Sequence, residues 1–272
     1  MNGYNFNIEK EYDNIIKWIR EYFIQNGPEA KAVIGISGGK DSTVAAALCV
    51  EALGPDRVVG VLMPQGNQAD INDALAVCNI LGIQHYTVNI KTACDALFGS
   101  MNAAGIKWND TATINTPPRL RMTTLYAVAA SIGGRVCNTC NYSEDYVGYS
   151  TKYGDLAGDF GVLTNYTVEE VIAIGEYFEE WHLWKYVERQ SLDEPSEFYK
   201  LIHKTPSDGL CGKTDEDNLG FTYKQLDDYL RRDICPDMKT LKRIDELHRR
   251  NLHKKDIYIQ APIPRIYLHN YN

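Results

Sequence analysis

The first half of the chain alternates short unbroken apolar runs with longer segments whose apolar residues recur every three to four positions. Ile8 to Gln25 has this helical spacing and stops at Asn26-Gly27-Pro28, a combination that ends helices. Ala32 to Ile36 is an unbroken apolar run, which is typical of a strand that is buried on both faces. The pattern therefore predicts a helix followed by an interior strand.

The same alternation continues towards residue 138. Further helices are predicted over Thr43 to Leu53, Asp70 to Leu81 and Arg119 to Ile132, and further strands over Arg57 to Met63, His85 to Ile90 and Arg135 to Asn138. This order indicates an α/β, Rossmann-like fold, in which a parallel sheet carries helices on both faces. Ligands of such sheets bind beyond the carboxyl ends of the strands. Chemistry is therefore expected just after Ile36, Met63, Ile90 and Asn138.

The order weakens in the second half of the chain. Gly148 to Thr164 has no clear period and predicts an ordered functional loop or a lid. Helices are predicted over Val168 to Trp184, Thr222 to Arg231 and Thr240 to Leu252, and two prolines predict an extended tail at Gln260 to Arg265. Because no repeat or linker interrupts the sequence, residues 1–272 are predicted to form a single domain.

Charge and cysteine content narrow the class of protein. The net charge of −8 gives no overall attraction to nucleic acid or to an anionic membrane, and no apolar run approaches membrane-spanning length. Seven scattered cysteines, an odd number, predict reduced thiols in a cytoplasmic protein. Cys137 and Cys140 have the spacing of zinc or redox pairs, but no further zinc ligands are obvious, so buried thiols are the preferred interpretation.

The segment after the first predicted strand reads Ser37-Gly38-Gly39-Lys40-Asp41-Ser42, with Thr43 next. Its two adjacent glycines permit close backbone approach and positive φ, which turns successive N–H groups towards an anion. The N-terminus of the following helix favours phosphate, and Ser42 or Asp41 is predicted to cap it.

The side chains of this loop suit a metal-bound polyphosphate. Its hydroxyls and the Lys40 ammonium donate to phosphate oxygens, and Asp41 is a candidate magnesium ligand. The glycine spacing differs from both the Gly-Lys-Ser/Thr nucleotide loop and the dinucleotide fingerprint. The loop instead resembles the pyrophosphate-binding loop of the N-type ATP pyrophosphatases, which split ATP between its α- and β-phosphates.

Later segments resemble one family within that superfamily, the ammonia-dependent NAD synthetases. The matching segments are Val61 to Pro64, Asn115 to Met122, Thr139 to Glu144, Gly148 to Asp155 with Asp159, Lys204 to Ser207, and His253 to Lys255. The resemblance runs from about Val33 to Pro264 in family order. Many dispersed motifs in the correct order are far harder to obtain by chance than one loop.

The resemblance implies a reaction and its participants. ATP would adenylate the carboxylate of deamido-NAD and release pyrophosphate, and ammonia would then displace AMP to give NAD. Magnesium and a homodimer are implied as well. The helix before the first strand starts near residue 1, so no glutaminase domain is expected, and free ammonia or a separate glutaminase would supply the nitrogen.

Roles carry over to individual residues as implications of the resemblance. ATP would be bound by Ser37, Gly38, Gly39, Lys40, Asp41, Ser42, Met63, Arg119, Thr139, Lys152, Lys204 and Ser207. Magnesium would be held by Asp41 and Glu144. Deamido-NAD would be contacted by Arg119, Lys152, Asp155, Asp159, His253 and Lys254. The catalytic set would be Asp41, Lys152, Asp155 and Lys204.

Some positions depart from the family pattern, and two other functions stay open. Phe160-Gly161 stands where the family often has Asn-Pro, Val168 where a lysine is usual, and Asp208 where alanine is usual. One alternative is a tRNA-thiolating ATP pyrophosphatase, which uses a similar loop and cysteine pairs. The other is a non-catalytic ATP-binding protein, in which Glu144 and Lys152 would be dispensable.

Overall fold

The computed structural model describes residues 4–68, 70–187, 194–205 and 214–255. The predicted extended tail and the predicted site residue Ser207 lie outside these described residues. No helix within the described part of the chain is long and apolar enough to cross a bilayer.

Five parallel strands form the sheet, which confirms the predicted α/β class. They are β1 Lys31–Gly35, β2 Val58–Leu62, β3 Gln84–Thr87, β4 Gly134–Asn138 and β5 Phe160–Gly161, in the spatial order β3-β2-β1-β4-β5. The chain moves outward from β1 to β3 and then returns to the other side of β1 with β4. The strand order thus reverses between β1 and β4, and at such a point a crevice opens beyond the carboxyl ends of the two strands.

Eleven helices are found among the described residues. They are α1 Ile8–Asn26, α2 Lys40–Leu53, α3 Ile71–Ile80, α4 Lys91–Ala103, α5 Asp110–Ile132, α6 Tyr142–Val147, α7 Val168–Trp181, α8 Glu197–Ile202, α9 Asp215–Leu219, α10 Tyr223–Arg232 and α11 Met238–Asn251. Short 3₁₀ turns follow α2, α7 and α11, at Pro55–Arg57, Leu183–Lys185 and Leu252–Lys254.

The two faces of the sheet are covered unequally. Ala32 and Ile34 of β1 point into a large core that α1, α2, α3, α7 and α8 complete. Val33 points the opposite way, into a smaller core with residues of α4 and α5. This alternation is what the side-chain period of a strand dictates, and it confirms that β1 is buried on both faces.

A third hydrophobic cluster joins the C-terminal helices to α6 and α7. Val147, Val168, Leu219 and Leu226 are buried in it. One polar contact accompanies this packing, since the Ser143 hydroxyl donates to an Asp227 carboxylate oxygen 2.5 Å away. α6 is therefore fixed by α10, which lies 84 residues further along the chain.

Several predicted boundaries differ from the structure, and one strand was not predicted. α5 begins at Asp110 rather than at Arg119, because the Asn109 side chain caps it and the helix continues through Pro117 and Pro118. β3 ends at Thr87 instead of Ile90. The segment predicted as a loop between Gly148 and Thr164 contains the short strand β5.

Two of the departures from the family pattern are explained by packing. At Gly161, an added Cβ would lie 2.5 Å from the Thr164 hydroxyl oxygen, so the position accepts only glycine without rearrangement. Val168 is buried, and its N–H donates to the Ser143 hydroxyl at the start of α7. The third departure, Asp208, lies outside the described residues.

Candidate active site

The loop between β1 and α2 adopts a conformation that requires glycine at one position. Gly38 has a φ of +79°, and a Cβ placed there would lie 2.6 Å from Asp73 Cβ and 2.7 Å from the Ala74 nitrogen. The loop therefore packs directly against the start of α3. A side chain at Gly38 would displace backbone as well as strain it.

The N-terminus of α2 is open to an anion. Gly39 is the residue preceding the helix, and no side chain of the described residues caps it. The prediction that Ser42 or Asp41 caps α2 is wrong. The Ser42 hydroxyl instead lies 3.1 Å from the Ser37 hydroxyl and 3.2 Å from the Ser37 nitrogen, so it closes the loop on itself. Uncapped N–H groups at a helix N-terminus form an anion-binding site.

Two carboxylates face each other across the switch point. Asp41 lies in the first turn of α2, next to β1, and Glu144 lies in the first turn of α6, beyond β4. The Lys40 ammonium lies 2.7 Å from Asp41 Oδ2 and 3.8 Å from Glu144 Oε1. The structure thus brings together the two acidic residues that the sequence predicts as metal ligands.

Asn141 connects the two sides of this arrangement. Its side-chain oxygen accepts a hydrogen bond from the Glu144 nitrogen and caps α6, while its amide nitrogen donates to Asp41 Oδ1 at 3.0 Å. One fully buried side chain therefore positions both carboxylates. No role for Asn141 was predicted from the sequence, although an Asn followed three residues later by Glu is a helix-start signal.

The protonation behaviour of this cluster follows from burial and charge. Burial raises the pKa of the Glu144 carboxyl well above its usual range, and the Asp41 carboxylate adds to this effect. Burial alone would lower the pKa of Lys40, but the Asp41 and Glu144 carboxylates outweigh it and hold that pKa above its usual value. The site therefore favours a cation between the two carboxylates.

Lys204 lies on the other side of the loop. Its ammonium contacts Asp73 Oδ2 at 2.5 Å, and Asp73 is the residue that packs on Gly38. Lys40 and Lys204 line a common cavity of about 340 Å³ together with Val168, Tyr223, Lys224 and Asp227. Two of the predicted phosphate-binding lysines thus share one cavity.

Asp155 is held by the turn that follows α6. Both its carboxylate oxygens accept from the Thr151 nitrogen, at 3.0 and 3.2 Å. The Asp155 side chain has an exposed surface. The protein atoms around its carboxyl nevertheless reduce its contact with water, and this desolvation raises its pKa. The Thr151 hydroxyl donates to the Asn115 side chain of α5, which fixes the turn to that helix.

The predicted substrate-binding cations gather around the same turn. Arg119 donates to the Lys152 carbonyl oxygen at 3.2 Å, and the Lys152 ammonium donates to the His253 carbonyl oxygen at 2.6 Å. Lys254 donates to the Gly148 and Ser150 carbonyl oxygens at 2.7 and 2.8 Å. These hydrogen bonds therefore join α5, the turn and the C-terminal 3₁₀ turn to one another.

Three remaining predicted site residues lie next to strands: Met63 follows β2, Thr139 follows β4 and Asp159 precedes β5. Arg121 donates to the Met63 carbonyl oxygen just beyond β2, and Thr139 lies directly after β4. The Asp159 carboxylate accepts from the Val136 nitrogen of β4 at 2.8 Å and from the Tyr126 hydroxyl at 3.2 Å. These contacts hold Asp159 against the sheet, and its substrate-binding role stays a prediction.

The cysteine pair is buried, as the sequence predicts. Cys137 and Cys140 expose 2% and 5% of their surfaces. Burial raises the pKa of both thiols well above the usual range, which disfavours the reactive thiolate form. Among the described residues, no cluster of three or more potential metal ligands is present.

Asp145, next to Glu144, makes folding stability depend on pH. Its Oδ1 is buried and has no hydrogen-bond partner among the described residues, and burial raises the pKa of its carboxyl from 3.8 to about 6. A carboxyl with a raised folded-state pKa binds its proton more tightly when the protein is folded. Its contribution therefore lowers stability as the pH rises from about 4 to about 6.

We expect Asp145→Asn to raise the free energy of unfolding at about pH 8 by about 1–2 kcal/mol and to leave it unchanged at about pH 4. The measurement is urea unfolding across this pH range. Asp228→Asn is the matched control, since Lys224 and Arg232 lower the pKa of Asp228 and its loss should not stabilise the protein at high pH. A gain for Asp145→Asn that is equal at both pH values would contradict this explanation.

Taken together, the parallel sheet, the glycine-dependent loop and the uncapped α2 N-terminus define an α/β nucleotide-binding protein. The loop that the sequence predicts to bind phosphate lies at the topological switch point, opposite a second carboxylate.

The chain belongs to the NAD synthase family, because the family model of that description matches residues 11–258. A curated NH₃-dependent NAD⁺ synthetase of Pyrococcus horikoshii is 34% identical over 263 residues, which cover 92% of this chain and 94% of the relative. The solved NMN synthetase of Francisella tularensis aligns with a TM-score of 0.80 at 32% identity, over 96% of this chain and 100% of that one. The NH₃-dependent NAD synthetase of Campylobacter jejuni aligns with a TM-score of 0.71 at 25% identity, over 95% and 100%.

Proposed function

We infer that this protein is an ammonia-dependent NAD synthetase, an enzyme that converts deamido-NAD, ATP and ammonia to NAD, AMP and pyrophosphate. The observation that carries this function is the facing pair of Asp41 and Glu144 beside the uncapped N-terminus of α2. Curated relatives that bear this activity in their names match nearly the whole chain.

The chemistry requires activation of a carboxylate. An oxygen of the nicotinate carboxylate attacks the α-phosphorus of ATP, and the bond from this phosphorus to the bridging oxygen breaks, releasing pyrophosphate. The nitrogen of ammonia then attacks the acyl carbon, the carbon–oxygen bond to AMP breaks, and the nitrogen loses a proton. Both steps depend on positioning and charge stabilisation.

The phosphates of ATP fit the loop and its neighbouring lysines. The N–H groups at the start of α2 would bind the released pyrophosphate, with the hydroxyls of Ser37 and Ser42 lining the loop. Lys40 and Lys204 line the same cavity and would balance the negative charge of the polyphosphate. Met63 and Thr139 lie at the ends of β2 and β4, where the rest of the nucleotide would be held.

Asp41 and Glu144 fit a magnesium ion. Their oxygens are the ligands that this ion prefers, and a two-carboxylate site that is completed by phosphate oxygens is typical of magnesium-nucleotide enzymes. A cationic group already lies between them in the form of the Lys40 ammonium. The ion would supply charge neutralisation to the polyphosphate when it is bound.

The turn around Asp155 is proposed to hold the nicotinate end and the ammonia. Arg119, Lys152, His253 and Lys254 lie on this turn or contact it. Asp155 has a raised carboxyl pKa, which suits a base that takes a proton from the incoming nitrogen near neutral pH. Asp159, next to β5, is assigned to the same substrate by the sequence motif alone.

A second candidate substrate is nicotinate mononucleotide. The observation that favours it is the TM-score of 0.80 to a protein named NMN synthetase, which exceeds the 0.71 for the NAD synthetase of Campylobacter jejuni. The carboxylate that reacts is the same in both substrates, so the loop and its carboxylates serve either reaction.

One experiment tests the reaction and separates the two substrates. Purified protein is incubated with ATP, magnesium and ammonium, together with either deamido-NAD or nicotinate mononucleotide, and the nucleotides are separated by chromatography. Ammonium-dependent formation of NAD and AMP in equal amounts is expected, with a higher kcat/KM for deamido-NAD. A higher kcat/KM for nicotinate mononucleotide would make it the preferred substrate in place of deamido-NAD. ATP binding without formation of either product would contradict the enzyme class.

Control reactions identify the nitrogen donor and test the alternative enzyme class. Glutamine in place of ammonium should give no product if free ammonia is the substrate. AMP release that depends on tRNA and a sulfur donor would favour the thiolating enzyme instead. The buried cysteines suit a reducing compartment, and we propose a cytoplasmic location.

A homodimer is proposed on the exposed face of α4 and α5. The α4–α5 face carries the large apolar side chains of Leu97, Ile106, Trp108 and Ile114, which are 41–50% exposed. Clusters of exposed apolar residues mark interaction surfaces. On this side, the sheet is covered by α4 and α5. A second copy of this chain would pack on the outer face of these two helices.

We expect the double variant Ile106→Asp, Ile114→Asp to weaken dimer formation by about 100-fold or more, because two charges would be buried in an apolar contact. The measurement is sedimentation equilibrium against the wild-type protein. Ile24→Asp is the matched control, since Ile24 is 70% exposed on α1, which packs on the opposite side of the sheet. Equal association of all three proteins would exclude the α4–α5 face as the interface.

A further inference from the structure

The Lys40 ammonium occupies the space between the two proposed metal ligands. It lies 2.7 Å from Asp41 and 3.8 Å from Glu144, and the residue is only 4% exposed. The Tyr223 ring lies 5.6 Å from the same nitrogen. Lysines are rarely buried unless they are paired, so these contacts define where the ammonium is held.

Other lysines of the same cavity have carboxylate partners of their own. Lys204 pairs with Asp73, and Lys224 pairs with Asp228 at 3.0 Å. Of the lysines that line this cavity within the described residues, Lys40 alone contacts both Asp41 and Glu144. Its position is therefore tied to the carboxylate pair.

We propose that Lys40 is a resident counter-cation, which offsets the negative charge shared by Asp41 and Glu144 in the nucleotide-free protein and admits a divalent cation to them only when ATP is bound. This inference rests on the proposed metal role of the two carboxylates. Lys40 acts on the metal site through these carboxylates, in addition to its proposed contact with the phosphates of ATP.

Charge balance explains the expected coupling. Two facing carboxylates without a cation would repel each other, and the ammonium between them reduces this repulsion. A divalent cation that binds alone would lie against the ammonium and would be repelled by it. ATP brings negative phosphates to which the ammonium can donate, and its oxygens complete the coordination of the metal. ATP and metal therefore strengthen each other's binding by the same factor.

The test measures Mn²⁺ binding by water-proton relaxation enhancement, which reports protein-bound metal independently of turnover. Without nucleotide, Lys40→Met and Lys40→Gln are expected to bind Mn²⁺ at least about tenfold more tightly than the wild-type protein. With an ATP analogue that cannot be cleaved between its α- and β-phosphates, the difference should shrink. Lys224→Met is the matched control, because it removes another lysine of the same cavity, and it should match the wild type.

Each outcome decides the question. Loss of Mn²⁺ from the analogue-bound Asp41→Asn variant would support the metal role of the carboxylates. If folded Lys40 variants then bind Mn²⁺ as tightly as the wild type, the inference about Lys40 alone is overturned. No Mn²⁺ binding in any form, with or without the analogue, would overturn the metal role of the carboxylates and this inference with it. If both Lys40 variants fail to fold, the wild type still decides, since equal Mn²⁺ affinity with and without the analogue would contradict the coupling.

Discussion

Replacing Asp41 by asparagine is expected to lower kcat by about 1,000-fold or more, because a preorganised charge at the reacting phosphates is removed. Asp41 Oδ2 contacts the Lys40 ammonium and Oδ1 accepts from Asn141. The variant keeps the size of the side chain, so the loop should keep its shape while its charge is lost. The measurement is the rate of AMP formation at saturating ATP, deamido-NAD and ammonium.

The control for this variant is Asp245→Asn. Asp245 is also ion-paired, to Arg249 at 3.5 Å on α11, and its replacement should leave kcat close to that of the wild type. ATP binding to Asp41→Asn without metal should persist, since the N–H groups of α2 are unchanged. A kcat within about tenfold of the wild-type value would mean that the Asp41 carboxylate plays no part in the chemical step.

Replacing Gly38 by alanine is expected to remove ATP binding and to lower stability by about 3 kcal/mol or more. The φ of +79° strains any other residue, and the new Cβ would lie within 2.7 Å of the Asp73 Cβ and the Ala74 nitrogen. The loop could then keep neither its conformation nor its contact with α3. The measurements are urea unfolding and ATP titration by calorimetry.

Gly54→Ala separates the two causes. Gly54 has a φ of +85°, and an added Cβ there would meet nothing within 4 Å. This variant should lose only the backbone strain energy of a positive φ, about 1–3 kcal/mol. An equal loss in the two variants would mean that the packing of the loop against α3 contributes nothing.

The sequence predicted the strands β1, β2 and β4 and their parallel order well, because their unbroken apolar runs lie between helices of clear period. It predicted no helix over α4, since only Cys94 of that helix is buried and an exposed helix needs no apolar stripe. It did not predict α6, because the helix-start pattern of Asn141 and Glu144 lies within the Thr139 to Glu144 motif, which was interpreted only for its role in catalysis and binding. The single-domain prediction stays a prediction.

The individual residues of the site were predicted from motifs, but their connections were not. That Asn141 joins Asp41 to Glu144 depends on how β1 and β4 pack side by side, which residues separated by 100 positions do not reveal. The burial of Asp145 and the position of Lys40 between two carboxylates depend on the same packing. Local sequence patterns predict the helices and strands, whereas tertiary packing decides which charged groups lie close enough to shift each other's pKa.

The hydrogen bond from Ser143 to Asp227 has a consequence for synthesis on the ribosome. The proposed phosphate-binding loop emerges early, whereas α6, which carries Glu144, is held by a residue of α10 that emerges 84 residues after Ser143. Because the N-terminal part of a chain is exposed to the cell before the rest is made, a nascent chain displays the loop without a fixed Glu144. We therefore expect the incomplete chain to be unable to cleave ATP, so that activity begins only when α10 has packed against α6.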